Sequence, residues 1–75
     1  LFILGDIMKD KILKAIQSKH AAAMAEALVN IEVYENAVGI GEHPDIVAAV
    51  EAQVEIYVHS QEIVEGIDHI LKNPS

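Results

Sequence analysis

Between Ile12 and Tyr34, apolar side chains return every three or four residues. The stripe reads Ile12/Leu13, Ile16, Ala23/Met24, Ala27/Leu28, Ile31 and Tyr34, with His20 holding one place in it. That period is one face of an α-helix. It predicts a first helix from about residue 7 to about residue 36, with Asp6 as its N-cap. The stretch from His20 to Leu28 is rich in alanine, which loses no side-chain entropy in a helix and lets a neighbour approach closely. A competing signal lies in Val29-Asn30-Ile31-Glu32-Val33-Tyr34, which alternates like a strand. The helical stripe passes through it without changing phase, so helix is the reading.

From Pro44 to about Lys72, apolar residues come in adjacent pairs that form two rows. One row is Val47, Val50, Val54, Tyr57, Gln61, Val64, Asp68 and Leu71. The other is Ile46, Ala49, Gln53, Ile56, Ser60, Ile63, Ile67 and Ile70. Together they make a helix face wider than one partner helix covers. Val54 to Val58 again alternates like a strand, but one short strand has no sheet to join. Gly66 interrupts the pattern, as a close-packing point or a weak one. Tyr34 and Tyr57 fall on the stripes and read as packing residues.

Asn36 to Asp45 separates the two patterns. Gly39 and Gly41 suit a helix stop, and Pro44 suits a helix start. His43, placed before a proline, is expected at or near the second N-cap, with Glu42 and Asp45 beside the positive helix end. The Gly-x-Gly pair is no phosphate cradle, because no strand precedes it and no lysine follows. The chain is therefore expected to be all-α: an antiparallel helical hairpin (about 7–36 and 44–72) in a single domain, 1–75.

Folding at residues 40–41 sets positions i and 81−i opposite each other. Met24 then meets Tyr57, Ile31 meets Val50, and His20 meets Gln61 in a polar pair that penalises slipped registers. One hairpin leaves a second row of helix two wet, and exposing several Ile and Val side chains on so small a chain invites association. The expectation is a homodimer that closes a four-helix bundle.

Charge narrows the partners. Residues 1–20 carry net +2 and residues 21–71 carry −10 with no Lys or Arg, leaving the chain at −7. Phosphate contacts need basic side chains, so neither nucleic acid nor an anionic membrane surface is expected as a partner. The acidic surface reads as a solubilising face, or alternatively as a site for a basic protein, including mimicry of nucleic-acid charge. There is no cysteine, so neither disulfides nor thiolate metal sites are available. Leu1-Phe2-Ile3-Leu4 is too short to span a bilayer and lacks the flanks of a signal peptide, so a soluble, cytoplasmic protein is expected.

Candidate chemistry is sparse. Glu55, His59, Glu62 and His69 lie at helical spacing on helix two, and Glu55–His59 and Glu65–His69 are i,i+4 pairs able to share a divalent metal. This metal-binding bundle is an alternative reading. No Glu-x-x-His motif of the di-iron bundles occurs, and the plain reading is a hydrated acidic face. No nucleophile–base constellation is visible, Arg is absent, and serine occurs only at 18, 60 and 75, so no enzyme, catalytic residue or cofactor is expected.

The block Asn30-Ile31-Glu32-Val33-Tyr34-Glu35-Asn36-Ala37-Val38-Gly39-Ile40-Gly41-Glu42-His43-Pro44-Asp45-Ile46-Val47, with Glu51-Ala52-Gln53-Val54-Glu55 after it, resembles small uncharacterised proteins of T4-like phages from marine settings. Gly-Ile-Gly-Glu-His-Pro-Asp is the most specific part, and the resemblance spans residues 30–55. It implies a phage-encoded accessory or structural protein, found in the host cytoplasm or the virion, and carries over no catalytic residues. The function expected is a non-enzymatic structural or protein-interaction module that works as a homo-oligomeric bundle.

Overall fold

Alanine is the commonest residue of the first patterned segment and isoleucine and valine of the second, and both fold as uninterrupted helices. The computed structural model describes residues 2–37 and 44–73, with side chains over 8–36 and 45–73. Helix α1 spans Phe2–Ala37 (36 residues) and helix α2 spans Pro44–Lys72 (29 residues). They pack against each other as a hairpin. The two strand-like stretches are helical throughout, as expected where no sheet exists for them to join.

The start of α1 departs from expectation. The helix begins at Phe2 and runs through Gly5 and Asp6, so Asp6 is an interior residue and not the N-cap. One glycine inside a helix costs only about 1 kcal/mol, less than is needed to stop it. α2 starts at Pro44 as the fixed φ of proline favours, with Asp45 in its first turn and His69 and Lys72 in its last, all complementing the helix dipole. The residues assigned to the turn, Gly39, Gly41, Glu42 and His43 among them, lie outside the described residues.

The seam between the helices is a single zigzag with a seven-residue repeat. On α1 it takes Leu13, Gln17, His20, Met24, Ala27, Ile31 and Tyr34, all half-buried except Ala27, which is 1% exposed. On α2 it takes Ile46, Val50, Gln53, Tyr57, Ser60, Val64, Ile67 and Leu71, among which Ser60 and Ile67 are buried. Steps alternating between three and four residues keep one stripe facing the partner, as in coiled coils. The seam therefore weaves between the two apolar rows of α2 and leaves members of both in water.

Hydrogen bonds across the hairpin fix the register. Gln17 pairs with Val64, His20 with Ser60 and Asn30 with Gln53, so paired numbers add to 81, 80 and 83. This agrees with the expected fold-back and sets Met24 level with Tyr57 and Ile31 level with Val50. The expected His20–Gln61 pair is replaced: His20 bonds Ser60, because residue 60 lies on the seam and residue 61 one step off it.

The result is a rod. Its principal extents are 61 × 15 × 14 Å and its radius of gyration is 17.4 Å. A compact chain of this length has a radius near 11 Å. Among the described residues, burial is concentrated on one stripe of each helix, with Ala23, Asn30, Ala49, Gln61 and Ile63 half-buried beside it.

Candidate functional site

Three polar rungs cross the seam. Near the open end, Gln17 Nε2 donates to the backbone carbonyl of Val64 at 3.0 Å. One helical turn further along α1, His20 Nδ1 lies 3.5 Å from Ser60 Oγ, and Ser60 is only 2% exposed. The His59 ring approaches His20 edge-on, with centroids 6.3 Å apart and planes at 81°. Towards the turn, Asn30 Nδ2 donates to Gln53 Oε1 at 3.1 Å. Among the described residues no buried side-chain nitrogen or oxygen lacks a partner. A buried polar group left unpaired costs about 1–3 kcal/mol, so each rung disfavours a slipped register that separates its members.

The His20–Ser60 pair has the residue types of a nucleophile and its base, but Ser60 is sealed inside the seam. A serine nucleophile must reach a substrate carbonyl, so this pair serves packing and register. Beside the Asn30–Gln53 rung, Ala23, Glu26, Ala27, Asn30, Gln53 and Ile56 line an open groove of about 190 Å³. It exists because Ala23 and Ala27 are too small to fill the space beside Ile56.

Glu55, His59, Glu62 and His69 are exposed on α2. His59 turns towards His20 across the hairpin. His69 is engaged at the helix end, where its Nδ1 lies 3.3 Å from Asn73 Nδ2 and its carbonyl accepts from the Asn73 backbone and side chain at 3.0 and 3.2 Å. No three His, Asp or Glu side chains gather at metal-binding distance among the described residues. Lys72 and Asp68 form an exposed i,i+4 ion pair at 2.9 Å, a contact that contributes little in water.

Surface is the more distinctive feature. Met8, Ile12, Ile16, Leu28, Val29 and Val33 of α1 are exposed, as are Val47, Val54, Ile56, Val58 and Ile70 of α2. The accessible surface is 5917 Å², about 1,400 Å² above the roughly 4,500 Å² of a compact 8.2 kDa monomer. Helical spacing pointed to the width of the apolar face. It missed Gln17 and Ser60 as seam residues, although a strict seven-residue repeat drawn through His20 and Gln53 passes through both.

No helix among the described residues is long and apolar enough to cross a membrane. Comparison of the chain with protein-family models, with curated proteins and with solved structures finds no match.

Proposed function

We propose that this chain is a non-enzymatic association module whose working form is a homodimeric four-helix bundle. The observation that carries the reading is the set of exposed Ile and Val side chains on a hairpin that has already packed its single seam and still exposes more surface than a compact chain of its mass. Two chains hiding about 1,400 Å² each bury roughly 2,800 Å², within the range of obligate homodimers. Each fully buried Ile or Val side chain contributes about 1.5–3 kcal/mol, so the exposed set represents a large driving force for association.

In the bundle, the outer face of α2 with Glu51, Glu55, Glu62 and Glu65 remains in water and is the surface that a further, basic partner meets. The role is then structural or adaptor-like, in keeping with the accessory or structural role that the phage resemblance implies. The test is thermal unfolding across a hundredfold range of protein concentration. A dimer that unfolds to monomers shows a midpoint rising with concentration. A midpoint independent of concentration contradicts the reading.

A further inference from the structure

Resting on that self-association, we infer which face the second copy covers and which way round it lies. The seven-residue repeat sorts the positions beside the seam into two broad sides. The side with the Asn30–Gln53 rung and the groove carries Ile12, Ile16 and Val33 of α1 with Ile56, Ile63 and Ile70 of α2. All but the half-buried Ile63 are exposed. Among the described residues, the acidic and lysine positions on this side are Lys9 and Asp45 near its two ends and Lys19 and Glu26 near its middle. The opposite side also has apolar residues, Leu28, Val47 and Val54, but Lys14, Glu35 and Asp68 are interleaved with them. Drying a surface is least costly where few charges must leave water, so the first side is the interface.

Charge sets the direction. Lys9, Lys11, Lys14, Lys19 and Lys72 all lie in the half of the hairpin away from the turn, where Asp6, Asp10, Glu62, Glu65 and Asp68 bring the net charge to zero. Glu26, Glu32, Glu35, Asp45, Glu51 and Glu55 lie in the turn half, which has no lysine or arginine. Stacking two hairpins with their turns at the same end superposes the acidic halves. Stacking them head to tail sets each acidic half against a lysine-bearing one.

Residue pattern supports the head-to-tail arrangement on both helices. A twofold axis crossing the hairpin near Ala23 stacks α1 antiparallel on its copy. Ile12 then faces the partner's Val33, and Lys19 faces the partner's Glu26, each pair occurring twice. On α2 an axis near His59 sets Ile56 against the partner's Ile63 and Ala49 against the partner's Ile70. Ala23 and His59 add to 82, inside the 80–83 register measured within the hairpin, so one axis serves both helices. Small residues sit where the helices must approach: Ala23 on α1 and Ala52 on α2.

Two measurements test this. In a charge-swap series read by dimer dissociation constant, Lys19→Glu alone and Glu26→Lys alone should each weaken the dimer by about tenfold or more. The double swap should restore it, and a double swap no tighter than the singles overturns the pairing. Spin labels at Asn36→Cys, an exposed position in a chain without native cysteine, read the orientation. Head-to-tail stacking about Ala23 separates the labels by about 40 Å, from 27 residues at 1.5 Å each. A dimer with labels closer than about 25 Å overturns the orientation while leaving self-association intact. A monomeric mass with no intermolecular distance overturns both.

Discussion

Asn30 and Gln53, 23 residues apart in the chain, join their side-chain amides across the hairpin at 3.1 Å. The bond lies at the turn-proximal end of the seam, where a slip of the fold-back would separate the two residues. A partly buried amide pair contributes about 0.5–1.5 kcal/mol net, while leaving one member unpaired costs more. In a double-mutant cycle, Asn30→Ala and Gln53→Ala should therefore couple by about 0.5–1.5 kcal/mol, measured by chemical denaturation. Additive losses would mean the bond does not hold in solution.

Ala27 is the most buried apolar residue among the described residues, at 1% exposure. A larger side chain there must push the helices apart or leave its rotamer. Ala27→Leu should destabilise by about 1–3 kcal/mol although leucine is a good helix former. An unchanged or raised melting temperature would show that the helices are not in close contact at this level.

Gly66 behaves differently. It is exposed, and an added Cβ meets nothing within 4 Å in the hairpin. Gly66→Ala should raise stability by about 1 kcal/mol through helix propensity alone, visible as a melting point several degrees higher. A fall would show that a partner backbone packs on the glycine too closely for a methyl group.

The two sides of the hairpin should respond unequally to charge. Ile56→Glu places a carboxylate in the inferred interface, and Val54→Glu places one on the opposite side. Both positions are similarly exposed in the single hairpin, at 43% and 44%. Ile56→Glu should abolish dimers at micromolar concentration while Val54→Glu retains them, measured by sedimentation. The reverse result would move the interface to the Val47–Val54 side.

Much of the architecture was legible because it rests on local chemistry. Alanine-rich spacing gave α1, Pro44 gave the start of α2, and the placement of Gly39 and Gly41 gave a fold-back register close to the measured one. The start of α1 was not legible, since Asp6 has the chemistry of an N-cap and nothing local says that the helix passes through it to Phe2. The seam was read too simply. Apolar residues were taken as its members, so Ile16 was placed in it and Gln17 was not. Packing follows the seven-residue repeat regardless of polarity, and the polar side chains on that repeat, Gln17, His20, Gln53 and Ser60, each found a partner across the hairpin. For the same reason His20 bonds Ser60 and not Gln61. Glu55, His59, Glu62 and His69 were legible as a row on one helix, but spacing alone did not reveal that His59 meets His20 or that His69 meets Asn73.

The central claim is that the hairpin is half of a bundle. Sedimentation equilibrium from low to high micromolar concentration tests it most directly. A single species at twice the 8.2 kDa chain mass is the predicted result. A species that stays at the chain mass over the whole range would contradict it, and would leave the exposed isoleucine and valine side chains to a different partner.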